Sequence, residues 1–189
     1  MLGAMPRWAV VVLATAVALS LAGPVVAADL YVNNNYQGER SGPLGSETNP
    51  YGTIDEALDA ASDGDTIRIV ATGLAYAQGT LEISKQLSLV GHDGMPWIQN
   101  SGNSYTMDIY AQNVTLDNLE VDGNGTNSSH IRVAKWADGD NFTLKNCWVH
   151  GGNYNGVDLR GIDYPLSNVL IENNIIEDFL GNSDSHGIV

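Results

Sequence analysis

The chain reads as an all-β solenoid, a parallel β-helix. Three observations predict it. First, a motif of about 27 residues recurs: "NVTLDNLEVDG" from Asn113, "NFTLKNCWVHG" from Asn141 and "NVLIENNIIED" from Asn168 align with offsets of 28 and 27 residues. Second, apolar and polar residues alternate within each copy, which is the period of a strand with one buried face. Third, the copies are dense in Asn, Gly, Val and Ile, a composition that suits short strands joined by tight bends. A unit this small cannot bury its apolar face alone, so successive units must stack.

The elements follow in order. Residues 1–28 are expected to be an export leader. Arg7 starts it, residues 8–22 are almost unbroken apolar, Pro24 ends any helix, and Val26-Ala27-Ala28 offers a small-residue cleavage site before Asp29. An uncleaved membrane anchor is the competing reading of the same run. Residues 29–64 are expected to hold a strand, a loop and a capping helix. Thr53 and Glu56 form a T-x-x-E capping box for a helix over 54–61. Ile54, Ala57, Leu58 and Ala61 fall on one face of that helix, suited to cover the apolar end of the first coil. Asp63-Gly64 ends it. Residues 65–189 are the coils, opening with "TIRIV".

Before each repeat copy lies a further short strand: "TLEIS" at 80, "TMDIY" at 106, "HIRVA" at 130 and "GVDLR" at 156. A weaker copy, "QLSLVGHDG" from Gln86, has Gly91 where the others have Asn. The chain stops at "HGIV", inside the start of another strand and with no polar cap after it. It therefore reads as the N-terminal piece of a longer protein, truncated at the C-terminus.

Asn118, Asn146 and Asn173 align where the alternation breaks. A sharp bend between two strands needs a residue in the left-handed region, which Gly enters freely and Asn tolerates. Stacked coils would bring these residues about 4.8 Å apart. Their amides are then expected to bond one another up the column as an asparagine ladder. Gly91 fits the same position as the other residue suited to such a bend.

At these residues the chain resembles the right-handed parallel β-helix proteins of the pectate-lyase-like superfamily, over about residues 29–189. The Asn positions carry part of the resemblance. The opening "DLYVNNNYQGERSGPLGSETNPYGTIDEALDAASDGDTIRIV" carries the rest: it is similar to the family's strand, Gly/Asn/Pro-rich loop, short helix and "GDTI" leading into the first coil. The resemblance implies a right-handed coil. It implies no single activity, because lyases, hydrolases, epimerases, adhesins and surface-layer proteins share the fold. Lyases of this family work on the first sheet and its flanking loops. They use Ca²⁺ held by carboxylates to neutralise a uronate, and an Arg or Lys to remove the neighbouring proton.

Charge narrows the classes. The chain has 22 acidic and 8 basic residues, a formal net charge of −14. That disfavours nucleic acid as a partner, since phosphates demand Lys and Arg. It fits a soluble secreted protein or one that holds cations between carboxylates. Cys147 is the single cysteine, so no intrachain disulfide forms. Its place among strand residues predicts a buried, unreactive thiol. No Gly-rich phosphate loop, G-x-S-x-G, H-E-x-x-H or paired CxxC occurs.

Candidate chemistry sits on outward positions. If Leu81/Ile83, Met107/Ile109, Ile131/Val133 and Val157/Leu159 point inward, then Glu82, Asp108, Arg132 and Asp158 form an outward column. Arg160 shares that face. The column is compatible with the lyase arrangement, and it is equally a plain salt-bridged ladder. Asp117, Lys145 and Glu172 make a second alternating column, read as structural. Asp122, His150 and Glu177 make a third, with His150 a candidate acid or base.

"DGNGTN" from Asp122 resembles half a calcium loop, but Val133 stands where the bidentate Glu is expected. "DGDN" places Asp138 and Asp140 in one turn. Asp122, Asp138 and Asp140 are thus the candidate Ca²⁺ ligands if neighbouring coils join the loops. His130 and His186 are expected two coils apart, about 10 Å, too far to share one ion. Trp148 points outward and could stack on a sugar. Asn113, Asn124, Asn127 and Asn141 head N-x-[ST] triplets.

The expectation is a secreted, monomeric, carbohydrate-active β-helix protein acting on an acidic polysaccharide by β-elimination or hydrolysis. Arg132 or Arg160 would serve as the base or bind the uronate, and Asp158 would position substrate or metal. The alternative is a non-catalytic adhesin, envelope component or glycan-binding solenoid. An enzyme should show unpaired, converging carboxylates and a base. A structural solenoid should show its outward charges paired.

Overall fold

The structure, a computed structural model, describes residues 26–102, 104–133, 139–161, 165–179 and 185–189. Strand β1 (Asp29–Val32) and helix α1 (Ile54–Ala60) come first. Then follow β2 (Thr66–Val70) and β3 (Tyr76–Gln78). Four sets of three complete the order: β4 (Leu81–Ile83), β5 (Ser88–His92), β6 (Trp97–Asn100); β7 (Met107–Ile109), β8 (Thr115–Asp117), β9 (Glu120–Asp122); β10 (Ile131–Val133), β11 (Thr143–Lys145), β12 (Trp148–His150); and β13 (Val157–Leu159), β14 (Leu170–Glu172), β15 (Ile175–Ile176).

These strands sort into three parallel sheets. The first is β4-β7-β10-β13, the second β1-β2-β5-β8-β11-β14 and the third β3-β6-β9-β12-β15. Each coil visits the sheets in turn, so like positions meet vertically. Leu81, Met107, Ile131 and Val157 are in register on the first sheet. Leu89, Leu116, Leu144 and Ile171 are in register on the second, and Ile98, Val121, Val149 and Ile176 on the third. Most of these residues are fully buried. Each such aliphatic contributes on the order of 1.5–3 kcal/mol relative to exposure, which is what a domain without a disulfide relies on.

Helix α1 forms as its capping box requires. The Thr53 hydroxyl accepts from Glu56 N (3.2 Å) and the Glu56 carboxylate accepts from Thr53 N (3.3 Å). Ile54, Ala57 and Leu58 are buried, and the helix packs against β1, β2 and β4. Among the described residues no helix is long and apolar enough to cross a membrane.

The bend asparagines are left-handed: φ is 58° at Asn118, 55° at Asn146 and 56° at Asn173. Their side chains depart from the expected ladder. Asn118 Nδ2 donates to the Gly94 carbonyl (2.7 Å) and Asn146 Nδ2 to Asp117 Oδ1 (2.7 Å). Amide-to-amide bonds run instead along the other aligned column. Asn168 Nδ2 donates to Asn141 Oδ1 (3.0 Å), Asn141 Nδ2 to Asn113 Oδ1 (2.8 Å), and Asn113 Nδ2 to Gln86 Oε1 (2.7 Å). Asn113, Asn141 and Asn168 are left-handed too, with φ of 57°, 58° and 55°.

Gly91 is a second correction. It stays extended within β5, and the positive-φ residues at that bend are Asp93 at φ 57° and Gly94 at φ 133°. Gly91 is small for a steric reason. A Cβ there would lie 2.1 Å from the Asn118 carbonyl oxygen and 2.7 Å from Pro96 Cδ. Cys147 is buried as expected, and burial pushes its thiol up to about 11.

Candidate functional site

Period-two alternation turns Glu82, Asp108, Arg132 and Asp158 to the outside of the first sheet, and the register stacks them: Glu82 beside Asp108, Asp108 beside Arg132, Arg132 beside Asp158. Adjacent strands are about 4.8 Å apart, within reach of a guanidinium fork. Arg132 spans that step toward Asp108. Its Nε donates to Asp108 Oδ1 (2.7 Å) and its Nη2 to Oδ2. The Tyr110 hydroxyl donates to the same Oδ2, and the guanidinium lies 3.8 Å from the Tyr105 ring centroid. Arg132 is only 7% exposed. The hydrogen bond to Asp108 raises its pKa further, so it holds its proton. Burial first, then Asp108, pushes the Tyr110 phenol up.

Asp158 turns to a different cation. Arg160, two residues on, donates from Nε to Asp158 Oδ2 (2.6 Å), and Ser129 Oγ donates to the same oxygen (3.1 Å). Asp158 is 2% exposed, while the Arg160 side chain is 33% exposed. The bond to Asp158 raises the Arg160 pKa. Asp158 and Arg160 line an open groove of about 640 Å³ together with Tyr154, Asn155 and His186. A buried carboxylate thus orients a guanidinium whose outer edge meets solvent. Such a group can grip a carboxylate and cannot take up a proton.

Arg132, Asp158 and Arg160 are therefore gathered on one face. His150 is not with them. It lies on β12 of the third sheet, where Nε2 meets Glu120 Oε1 (3.1 Å) and the ring stacks on Trp148 at 4.0 Å between centroids. Sequence reasoning left His186 out of the groove. The repeat could have placed it, because it precedes "GIV" as Asn155 precedes "GVDL".

Of the three candidate Ca²⁺ ligands, the two described ones stand at separate corners. Asp122 closes a third-sheet strand, and its oxygens accept from Trp97 Nε1 (3.1 Å), Gln99 Nε2 (3.0 Å) and Asn124 N (2.7 Å). Asp140 sits at the corner before the second sheet, where Oδ1 accepts from Ser167 N (2.7 Å). Asp138 lies outside the described residues. Among the described residues no three His, Cys, Asp or Glu side chains gather closely enough to hold a metal ion.

His130 is the least anticipated residue. It is 0% exposed and its Nε2 meets the His150 carbonyl at 2.8 Å. Phe179 packs edge-on at 5.2 Å, and Gly123 and Gly152 pass so close that a Cβ on either would strike the imidazole. Burial lowers the His130 pKa. The two glycines were the available signal, and nothing local to them names the ring they accommodate.

No family model matches the chain, and no curated protein matches it. Among solved structures it is similar to a crystal structure of pectate lyase Pel9A, with a TM-score of 0.60 and 17% identity over 85% of this chain and 43% of that one. The likeness shows a right-handed parallel β-helix. The chain spans less than half the length of that structure.

Proposed function

We propose that the chain belongs to a secreted carbohydrate-active β-helix protein that engages an acidic polysaccharide along the first sheet and cleaves it by β-elimination or hydrolysis. The observation that carries the reading is Arg160, held by buried Asp158 with its outer edge open to the groove. A uronate carboxylate is the ligand such an edge suits, through paired charge-assisted hydrogen bonds. In this reading Asp158 positions Arg160, and Arg132 holds Asp108 rather than acting as a base. His186 lines the same groove, and an imidazole can act as a general base. In β-elimination it would take the proton beside the uronate carboxylate as the carbon–carbon double bond forms and the bond to the leaving sugar oxygen breaks, solvent protonating that oxygen. Export rests on the leader read over residues 1–28, which N-terminal sequencing of secreted protein would test by finding Asp29 first.

The test uses the whole chain on polygalacturonate and alginate, following the absorbance of unsaturated product and, separately, reducing ends, with and without chelator. Arg160→Ala should weaken polyuronide binding about a hundredfold or more, with Arg160→Lys in between. Unchanged binding in Arg160→Ala would overturn the reading.

A second reading, a non-catalytic glycan-binding or surface solenoid, is favoured by one observation. The outward charges are paired, Asp108 with Arg132 and Asp158 with Arg160. Binding that needs Arg160 but yields no product with any polyuronide would support it.

A further inference from the structure

The outer face of the third sheet carries groups that the first-sheet groove does not use. Trp97, Glu120 and Trp148 are in register up one column, and Gln99, Asp122 and His150 up the next. Both indoles are half-buried and tied at their N–H. Trp97 Nε1 donates to Asp122 (3.1 Å) and Trp148 Nε1 to Glu177 (3.1 Å). In each case the acceptor comes from the following coil. The same diagonal link therefore occurs twice, two coils apart, and holds both rings.

We propose that this face binds a neutral, extended polysaccharide strand running across the coils, with one sugar ring against Trp97 and another against the Trp148 face that turns away from the stacked His150. The two Trp sit two strand steps apart, about 9.6 Å, close to a disaccharide repeat in an extended β-linked chain. The apolar face of a hexose packs on indole, and its hydroxyls can donate to the Glu120 carboxylate between the rings. Charge selects the ligand class. No Lys or Arg stands on the five strands of this sheet, and its outer side carries two carboxylates, Glu120, half-buried, and Asp122, buried among the N–H groups it accepts from. A uronate strand would meet like charge there, whereas a neutral hexose would not. The side chains are already pinned, so binding costs little rotamer freedom.

The test titrates the chain with cellohexaose, mannohexaose and polygalacturonate, reading heat and tryptophan fluorescence. A neutral hexasaccharide should bind. Trp97→Ala and Trp148→Ala should each weaken it by about tenfold. Trp148→Phe, which keeps a ring and loses the N–H, should stay within about threefold, and serves if the alanine variant fails to fold. Arg160→Ala should leave this binding unchanged, which separates the face from the first-sheet groove. No binding of either neutral hexasaccharide at millimolar concentration would overturn the proposal. So would equal affinity in wild type and both Trp→Ala variants, or an equal loss in Arg160→Ala.

Discussion

Gly152→Ala tests whether the coil above His130 is shaped around its ring. The added Cβ would lie 1.9 Å from His130 Cε1 and 2.5 Å from Nε2. The imidazole cannot easily yield, because it is fully buried, bonded to the His150 carbonyl and backed by Phe179. Gly152 is outside the left-handed region, so alanine adds no backbone strain there. Overpacking costs about 1–3 kcal/mol and a weakened hydrogen bond about 1, against roughly 0.5 gained from the stiffer unfolded chain. The expected net loss is about 2 kcal/mol. Urea unfolding followed by circular dichroism reads it as a lower midpoint at constant slope. Gly79→Ala is the control, since its Cβ would meet nothing within 4 Å. In the double variant with His130→Ala the new methyl enters vacated space. The combined cost should then fall short of the sum by about 1–2 kcal/mol. A Gly152→Ala midpoint equal to that of Gly79→Ala, or a strictly additive cycle, would refute the packing argument.

Three further outcomes follow from the same contacts. Burial lowers the His130 pKa, so below about pH 6.5 the unfolded chain binds a proton that the folded chain refuses. Stability should therefore be full above that pH and fall by up to about 1.4 kcal/mol per pH unit as the pH drops toward the folded value. His130→Gln should flatten the urea midpoint between pH 7 and pH 5. Arg132→Met strands the buried Asp108 carboxylate and should cost about 3–5 kcal/mol in thermal or urea melts, most of it restored when Asp108→Leu is added. A single variant as stable as wild type would show that the pair is not buried as described. Asn141→Ala loses two amide bonds and sets at φ 58° a residue that tolerates the left-handed region less well than Asn, about 3 kcal/mol together, whereas Asn141→Gly relieves the backbone and should cost about half of that. Equal losses in the two variants would mean that the left-handed bend carries no penalty.

The stacking period, the inward aliphatics, the helix and its capping box were all legible in the sequence. Each depends on local pattern: alternation for β7 or β10, a T-x-x-E for α1. The early strands β3 and β6 were less visible, because "YAQ" and "WIQN" carry no aligned Asn and only one or two apolar residues. The candidate site was half legible. Alternation placed Asp108, Arg132, Asp158 and Arg160 on one face. It also set Asp122 and His150 in a separate column, but it could not say that Asp122 and Asp140 stand at different corners. That relation depends on how many residues each turn spends, and a sequence period alone does not count them.

The sequence by itself determined that units of about 27 residues stack, and that aligned Asn residues stand at recurring left-handed bends. Backbone conformation and burial are strong preferences, written residue by residue. Tertiary structure alone decided which partner each polar side chain takes. Arg132 stands one strand step from both Asp108 and Asp158, and Asn146 lies one step from both Asn118 and Asn173. Alternatives at equal distance differ by little in energy. The surrounding packing settles them, with Tyr105 under one guanidinium and Ser129 beside the other carboxylate.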